Sequence, residues 1–497
     1  MNNLIFGILT TLACLIFWVN AFLQFRKGRP DFSILLIVLA GFLLRIYAGS
    51  DLFLHSWDER YHALVAKNMM EFPFRPMLYA VPKLPYDAAN WTTNHIWIHK
   101  QPFTLWMIAL SMKTFGVNEI ALRLPSILLS TIGIFIVYKT ATYFGNTRIG
   151  LIAAFLFSVN GLILELLAGR TPTDHPDIFF MCFILFSVYQ AIRFCQTKKT
   201  IHNTACGVFA GIAILCKWLP AMIILPIWLL VVVDAKLFSK VKIVFHFMIL
   251  LLIITVVFLP WQIYILRVFP AEAHLEYGYN FKHINEVLGE HSGTWLYYIN
   301  QMRINYGELI YIPVIWFLIG FFRKKIPLKD GALFIWLIVP ILFFSFVKTK
   351  MEAYTLFAAP AVFIITALFI DYLTEVFNKK RSILIPAAII IFLFIIPLRY
   401  CIERIKPFTI LERNPEWAKE LRNMELITGE QMGVVFNAPR PVELMFYSDF
   451  TGYSELPDVK TIEDLIRKGN HVFINQNAPV PSNYYQVKGV KWIRLTN

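Results

Sequence analysis

The feature that most constrains the fold of this chain is a series of long apolar runs. The first run covers residues 4–25 and contains no charged residue. A helix that crosses the hydrocarbon core of a bilayer needs about 20 such residues. The run is too long for the core of a signal peptide, and no small-residue cleavage site follows it. We therefore interpret it as a retained membrane span.

Similar apolar windows recur along the chain, about twelve in all. The composition agrees, because 58% of the residues are hydrophobic and only 16% are charged. That is more apolar surface than a soluble domain of this size needs. The sequence therefore predicts an α-helical polytopic membrane protein with about twelve transmembrane helices. The predicted spans are 4–25, 32–48, 123–143, 149–168, 177–195, 204–217, 219–234, 243–266, 308–322, 331–347, 354–374 and 383–401.

Basic residues between the windows predict the orientation of the chain. The net charge is +14, but the lysines and arginines cluster in short loops, so membrane topology explains the excess and no nucleic-acid partner is implied. The basic clusters occupy 26–29, 193–199, 236–242, 323–325 and 379–381. The positive-inside rule places these clusters in the cytoplasm. The segments then predicted on the opposite, extracytoplasmic side are 49–122, 169–175, 267–307, 348–352 and everything after about residue 402.

The first outer segment, 49–122, is long enough to have structure of its own. Within it, residues 104–115 (TLWMIALSMKTF) are apolar but too few to span a bilayer. They are typical of a helix that lies at the membrane interface. We assign this segment to a membrane domain over residues 1–401, in which the outer loop carries the acidic motif described below.

After Cys401 the composition becomes polar. Residues 432–436 and 471–474 resemble short strands, and residues 461–468 between them resemble a helix. No Gly-rich phosphate loop and no catalytic constellation is found there. We therefore predict that residues 402–497 form a small extracytoplasmic soluble α/β domain.

An acidic pair, Asp58 and Glu59, stands about ten residues after the second predicted span. Taken alone, such a pair is as often two solvated carboxylates in a loop as part of a functional site. A carboxylate can take a proton from an attacking hydroxyl, however, and lysines can neutralise a phosphate. A carboxylate and lysines placed together at a lipid–water boundary favour a substrate with an anionic headgroup and a long apolar tail. Other ionisable clusters predicted on this side occupy residues 99–102, 123–126, 169–177 and 348–354.

The order of these clusters resembles a known family. The chain has W-D-E at 57–59, K-x-P at 100–102 and G-x-x-E-x-x-x-R-L-P-S at 116–126. A T-P-T-D-H-P-D loop at 171–177 and K-x-K-x-x-x-Y at 348–354 follow. This succession is similar to that of the GT-C membrane glycosyltransferases that use polyprenyl-phosphate sugars. The families that it resembles are the bacterial aminoarabinose (lipid A) transferases and the protein O-mannosyltransferases.

The chain also departs from the family pattern. His99 replaces the glutamate that usually precedes Lys-Pro, and Gln101 widens that motif. Trp218 follows Lys217 where the family has a glycine. Lys217 lies in an apolar stretch, so we expect it to have a functional or structural partner.

The resemblance implies a mechanism. Asp58 would act as general base toward the acceptor nucleophile, which attacks the anomeric carbon with inversion while the lipid phosphate leaves. Glu59 would have at most a supporting role, because the neighbouring position points elsewhere. Lys100 and Lys350 would bind the donor phosphate.

The remaining predicted contacts follow from the same resemblance. Tyr354 would donate a hydrogen bond to the phosphate, and Lys282 is a weaker phosphate candidate. The competing interpretation for Lys100 and Lys350 is that they snorkel to lipid headgroups.

Acidic and histidine residues on the same side are candidates for acceptor or cation binding. Asp174 would bind or orient the acceptor, and His291 is placed for a donor or acceptor contact. His62 follows Asp58 by four residues, which is one helical face. With Asp174 and His175 it could hold a divalent metal, although no ligand spacing of the finger or HExxH kind supports one. No cofactor is required by the implied reaction.

The predicted function is thus sugar transfer at the outer side of the cell (inner) membrane. The acceptor stays open among lipid A, another glycolipid, a cell-wall polymer and a protein. The alternative is a transporter or flippase for a lipid-linked sugar, which would favour ionisable residues at mid-membrane and repeated halves. A structural membrane protein would account for the C-terminal domain but not for the clusters around Asp58, Lys100, Asp174 and Lys350.

Overall fold

The computed structural model describes residues 3–323, 327–379 and 384–496. The basic positions 324, 325, 380 and 381, which contribute to the predicted orientation, lie outside these residues. The described chain is mainly helical, with one small sheet.

The first ten α-helices are, in chain order, Asn3–Arg26 (α1), Pro30–Ala48 (α2), Asp58–Met69 (α3), Pro102–Phe115 (α4), Glu119–Phe144 (α5), Thr147–Ser158 (α6), Gly161–Leu167 (α7), His175–Thr197 (α8), Thr200–Lys217 (α9) and Ile224–Asp234 (α10). The next seven are Lys240–Val268 (α11), Pro270–Asn285 (α12), Tyr297–Tyr306 (α13), Tyr311–Arg323 (α14), Leu328–Phe346 (α15), Ala359–Lys379 (α16) and Leu384–Ile405 (α17). The last four are Glu416–Arg422 (α18), Met424–Thr428 (α19), Pro441–Tyr447 (α20) and Val459–Arg467 (α21). Short 3-10 turns cover Leu219–Ile223, Glu308–Ile310, Glu352–Ala358 and Ser482–Gln486.

Helix boundaries fall where the sequence supplies capping residues. Proline occupies the first turn of α2 and of α4, where its missing N–H costs nothing. The side chains of Asn146 and Asn160 accept hydrogen bonds from the backbone N–H groups of Ile149 and Ile163. These contacts satisfy amides that the first turns of α6 and α7 leave without helical partners.

The chain divides into two compact units. The first unit comprises Met1–Gly49 and Ser126–Ile410, and the second comprises Ser50–Pro125 and Leu411–Asn497. This division differs from the predicted one at residue 401. The outer segment forms one compact unit with the C-terminal segment, because the two share apolar and polar contacts that no sequence window reveals.

Apolar helices of membrane-spanning length dominate the first unit. Among the described residues, nine helices are long and apolar enough to cross a membrane, or up to eleven if each of two bent pairs counts as one span. The bent pairs are Thr147–Ser158 with Gly161–Leu167 and Tyr297–Tyr306 with Glu308–Arg323. The apolar helix at Leu219–Asp234 is shorter than a span. The fold class is confirmed, while the number of full-length spans is lower than the predicted twelve.

Helices of the first unit differ in how much of their surface is covered by protein. In α8, 83% of the most apolar window is buried, against 11% in α11. Helix α8 packs against α9, α10 and the Glu352–Ala358 turn, so it is a core element. Helix α11 keeps most of its apolar surface exposed, as a lipid-facing helix does.

The second unit contains a parallel sheet in the order β2-β1-β3-β4. Its strands are Val434–Phe436 (β1), Thr451–Gly452 (β2), Val472–Asn475 (β3) and Val490–Ile493 (β4). Strands β1 and β3 and helix α21 match the predicted elements, whereas β2 and β4 were not predicted. Strand β2 has only two residues, one of them a glycine, which is too short to show an alternating pattern.

Helices α3 and α4 of the outer segment pack with α20 around a common apolar core. Helix α4 coincides with the predicted interfacial helix at 104–115 and begins two residues earlier. Packing against this core therefore fixes the position of α3, whose first residues carry the acidic motif. Its buried members include Leu64, Val65, Leu105, Ile108, Val442, Met445 and Phe446.

Candidate active site

Asp58 is the first residue of α3 and forms an ion pair with Lys100. The Asp58 Oδ2 atom lies 3.1 Å from Lys100 Nζ, and 17% and 26% of the two side chains are exposed. Lys100 stands just before α4, whose start is fixed by Pro102. A carboxylate at a helix N-terminus is also favoured by the helix dipole. The structure thus brings the predicted base and one predicted phosphate ligand into direct contact.

Charges around Asp58 keep its carboxyl ionised. Burial would raise the pKa of Asp58, but its electrostatic interactions with Lys100, His62 and His99 outweigh this effect, and Lys100 also donates a hydrogen bond. The pKa of Asp58 therefore lies below the ordinary value of an aspartate. His62 acts from one helical turn away, as the four-residue spacing predicts.

Glu59 occupies a different environment from its neighbour. It is fully buried and forms two hydrogen bonds with Arg123, from Nε at 2.7 Å and from Nη2 at 2.9 Å. It also accepts the backbone N–H of His55 at 2.8 Å. Both carboxylate oxygens are thus engaged by the loop and by α5. In this geometry Glu59 fixes the loop that leads into α3. Its role beside Asp58 is therefore structural.

Arg123 completes that buried arrangement. Its Nη2 donates to the carbonyl of Phe53 at 2.8 Å, and its Nη1 donates to the carbonyl of Asp51. The R-L-P-S motif signalled Arg123, but its partner is 64 residues away. Sequence proximity could not identify the pair.

His62 lies in the interior of the second unit. Its side chain is fully buried, and its ring is 5.8 Å from that of Trp97 in an edge-to-face arrangement. The structure therefore places His62 against the aromatic core beside Asp58.

In the first unit, Lys217 ends α9 and pairs with Asp177 in the first turn of α8. Its Nζ atom also lies over the ring of Tyr354, 4.7 Å from the centroid. Lys217 thus has the partner that its apolar surroundings require. Asp177 was present in the acidic loop of the sequence but was not singled out.

Lys350 is turned toward the end of a helix. Its Nζ donates to the carbonyls of Phe344, Ser345 and Val347 at 2.8, 2.7 and 2.5 Å. These acceptors occupy all three donors of an ammonium group, and only 4% of the residue is exposed. Burial and the charge of Lys348 lower the pKa of Lys350. In this conformation Lys350 caps α15, and a phosphate contact would require those bonds to break.

The loop around Lys350 is joined to the segment that follows α12. The Lys350 N–H donates to the carbonyl of His291 at 2.8 Å, and the Thr349 N–H donates to that of His283 at 3.1 Å. The Tyr354 hydroxyl lies 3.5 Å from Nδ1 of His283. The structure thus joins Lys350 to His291 and Tyr354 to His283. Lys282, by contrast, is exposed on α12.

Asp174 and His175 stand at the start of α8, and both side chains are fully buried. The Nδ1 atom of His175 lies 2.9 Å from Oγ of Ser126, the last residue of the R-L-P-S motif. Ser126 and the acidic loop at 171–177, which are separate in the sequence, therefore meet in the first unit.

A second ionic cluster supports the turn that carries Tyr354. Arg404 of α17 pairs with Glu165 of α7, and its Nη2 lies 2.9 Å from Glu352 at the start of that turn. Glu165 lies in an apolar helix, where a carboxylate needs such a partner. Arg404 lies beyond the part of the sequence that matched the family, so no signal pointed to it.

No group of three or more His, Cys, Asp or Glu residues within 3–323, 327–379 and 384–496 is arranged to hold a metal ion. The predicted cation at His62, Asp174 and His175 stays a prediction. His62 belongs to the second unit, and the other two residues belong to the first.

Comparison with known proteins gives the family context of this geometry. A family model described as dolichyl-phosphate-mannose-protein mannosyltransferase matches residues 99–262. An undecaprenyl phosphate-alpha-4-amino-4-deoxy-L-arabinose arabinosyl transferase of Pseudomonas savastanoi pv. phaseolicola is 24% identical over 310 residues. The alignment covers 59% of this chain and 55% of that protein. The chain spans about half the length of the curated relatives it matches.

Solved structures match more of the chain. ArnT from Cupriavidus metallidurans, crystallised with undecaprenyl phosphate, superposes with a TM-score of 0.62 at 15% identity, covering 87% of this chain and 90% of that one. The archaeal oligosaccharyltransferase AglB from Archaeoglobus fulgidus, in complex with an inhibitory peptide and a dolichol-phosphate, gives 0.54 at 13% identity, covering 84% and 64%. At these identities the likeness concerns the fold. The chain thus resembles the GT-C membrane glycosyltransferases in sequence and has the fold of ArnT, in agreement with the resemblance found in its sequence.

Proposed function

We propose that this protein transfers a sugar from a polyprenyl-phosphate-linked donor to an acceptor on the extracytoplasmic side of the cell (inner) membrane. The observation that carries the proposal is the Asp58–Lys100 pair, an ionised carboxylate beside a cation at the start of α3. The name of the arabinosyl transferase relative and the undecaprenyl phosphate in the ArnT crystal structure support a lipid-phosphate donor.

Asp58 is the general base of the proposed reaction. It accepts the proton of the acceptor nucleophile, which attacks the anomeric carbon from the face opposite the phosphate. The bond between the anomeric carbon and the phosphate oxygen breaks, so the sugar inverts and polyprenyl phosphate leaves. The electron pair of that bond remains on the phosphate oxygen.

Lys100 couples donor binding to the strength of the base. While Lys100 is paired with Asp58, its charge holds the pKa of that carboxyl low. An anionic phosphate that recruits the Lys100 ammonium would remove part of this stabilisation and leave a more basic carboxylate. The base then becomes effective when the donor is present.

The other proposed phosphate ligands differ in accessibility. Tyr354 can donate its hydroxyl hydrogen, and Lys282 is an exposed secondary cation. Lys350 is buried under the carbonyls at the end of α15, so we propose that it mainly orders the loop that leads to Tyr354. A phosphate contact by Lys350 would require a second conformation.

Acceptor recognition is proposed for Asp174, His175 and His291. Asp174 and His175 are buried at the start of α8, so they would act by shaping the acceptor site. His291 is partly exposed and can contact the acceptor directly. The proposed acceptor is a glycolipid such as lipid A, a cell-wall polymer or a protein.

The proposed chemistry requires no nucleotide cofactor, because the lipid phosphate is itself the leaving group. Lysine charges take the place that a divalent cation would have beside the phosphate. We therefore propose that transfer proceeds without an added metal, and an assay with a chelator tests this point.

The test uses the full-length protein in liposomes with a panel of synthetic polyprenyl-phosphate sugars, with and without EDTA. Released polyprenyl phosphate and glycosylated acceptor are measured by mass spectrometry. The acceptor is identified first from the lipid and glycan profiles of cells with and without the protein. We expect both products to appear in equal amounts. Movement of an intact donor between leaflets, with no cleavage of any donor in the panel, would contradict the proposal and favour a flippase.

A further inference from the structure

The C-terminal segment contacts the loop that leads into α3 through the backbone of that loop. The Leu52 N–H donates to the carbonyl of Arg413 at 2.6 Å, and the Leu52 carbonyl accepts from Nη2 of Arg422 at 2.6 Å. The Leu54 N–H donates to the Tyr447 hydroxyl at 3.0 Å. These bonds do not depend on the loop side chains, so they constrain the path of the chain itself.

The same segment also contacts α3. Glu443 of α20 is fully buried, and its Oε1 lies 3.4 Å from Nη1 of Arg60, two residues after Asp58. At the other end of α3, Lys67 Nζ donates to the carbonyls of Met445 and Phe446 at 2.8 and 3.0 Å. Polar contacts therefore hold both ends of α3 against α20.

The contact between Arg60 and Glu443 is the one closest to Asp58 among these polar bonds of α3. A buried carboxylate is costly unless it keeps a cationic partner, so Glu443 restricts the position of Arg60. Arg60 and Asp58 lie in the same first turn of α3. A shift of this turn moves the Asp58 carboxylate by a similar distance.

We propose that Glu443 is a positioning residue for Asp58, and that residues 411–497 act as a fixed support for residues 50–69. The link to catalysis rests on the proposed function, in which Asp58 is the base. Geometry matters there because a general base works within about 2.6–3.2 Å of the proton it takes. A misplacement of about 1 Å can slow a reaction about a hundredfold.

This assignment differs from an acceptor-binding role of the C-terminal segment. A binding module would change the acceptor KM when it is altered. A support changes kcat and the mobility of residues 50–69, while KM for the donor and the acceptor stays the same.

The test compares Glu443→Gln with the matched control Glu425→Gln, which alters an exposed carboxylate of the same unit. Both full-length variants are studied in nanodiscs by hydrogen–deuterium exchange of peptides that cover residues 50–69, and by steady-state kinetics. For Glu443→Gln we expect amide exchange in this segment to rise about tenfold and kcat to fall about tenfold. The control should match the wild type in both.

A second variant keeps the test decisive if Glu443→Gln fails to fold. Arg60→Gln combined with Glu443→Gln replaces the ion pair by two neutral amides, and we expect it to fold and to recover part of the lost protection. Wild-type exchange across residues 50–69 in the single variant, or in the double variant if the single one does not fold, would overturn the support role whether or not the protein transfers a sugar. Raised exchange with an unchanged kcat, or a change confined to the acceptor KM, would overturn the positioning of Asp58. Absence of transfer by the wild type would refute the proposed function alone, since the exchange data still decide the support role.

Discussion

The segment just before α4 and the loop before Tyr354 carried the same kind of sequence signal, a lysine in a polar segment beside the membrane, but the structure uses the two lysines differently. Lys100 reaches a carboxylate and keeps a quarter of its side chain exposed, at 26%. Lys350 turns into the carbonyls that end α15 and is 4% exposed. A lysine in a polar segment beside the membrane predicts a cation near the interface. The groups that the lysine contacts in the fold decide whether its ammonium group is accessible to a ligand.

The neighbouring carboxylates in the second unit show the same division. Asp58 is partly exposed and paired with Lys100, and Glu59 is buried and held by Arg123. One position along the chain separates a group that can exchange protons with a substrate from one that holds the backbone.

The largest expected effect on stability comes from neutralising Glu59, the buried carboxylate of the two. Glu59→Gln leaves Arg123 buried without its full counter-charge, so we expect the free energy of unfolding to fall by about 3–5 kcal/mol. Thermal and denaturant unfolding in detergent micelles measure the change. Glu71→Gln, at an exposed position of the same outer segment, is the control. A loss of activity with unchanged stability would contradict the structural role of Glu59.

Removal of the accessible lysine should affect turnover more than folding. We expect Lys100→Met to lower kcat/KM about a hundredfold, since it removes charge from the leaving phosphate. The control is Lys113→Met, which alters an exposed lysine of α4.

Lys100→Met should also move the acid limb of the activity profile. A base acts only when deprotonated, so activity is lost as pH falls through its pKa. In the free wild-type enzyme, whose groups set the pH dependence of kcat/KM, the pKa of Asp58 is depressed, and we expect the acid limb of kcat/KM below the ordinary value of about 4. Without Lys100 the pKa rises and the limb moves to higher pH. If the limb does not shift, the group whose deprotonation it reports is not Asp58.

The smallest effect is expected at the buried lysine. Lys350→Met leaves three helix-end carbonyls without their donor, and we expect it to destabilise the protein by about 1–2 kcal/mol. KM for the donor should change less than in Lys100→Met. Lys348→Met, at an exposed neighbouring position, is the matched variant. A strong rise in donor KM at unchanged stability would show that Lys350 contacts the phosphate and would reverse the comparison.

The sequence predicted the features that depend on local pattern. Apolar windows located the long helices, and the W-D-E and K-x-P motifs identified Asp58 and Lys100, which do meet. Asp58 and His62 share a helical face because their spacing matches one turn.

Features that depend on distant partners could not be predicted. Arg123 lies 64 positions from Glu59, and Glu165 lies 239 positions from Arg404. The side chain of Lys350 follows the carbonyls at a helix end, which have no sequence signature. The association of the outer segment with residues 411–497 depends on packing between surfaces far apart in the chain, so the predicted domain boundary followed composition instead.

The most direct test of the account is the turnover of Asp58→Asn with a lipid-phosphate sugar donor. Asparagine keeps the shape of the side chain but cannot take the proton, so we predict a loss in kcat of about 10²–10⁴-fold. Polyprenyl phosphate binding should persist, which shows that the variant is folded, and Asp464→Asn, which breaks the exposed pair with Arg467, should keep full activity. Wild-type turnover by a folded Asp58→Asn protein would contradict the assignment of Asp58 as the base.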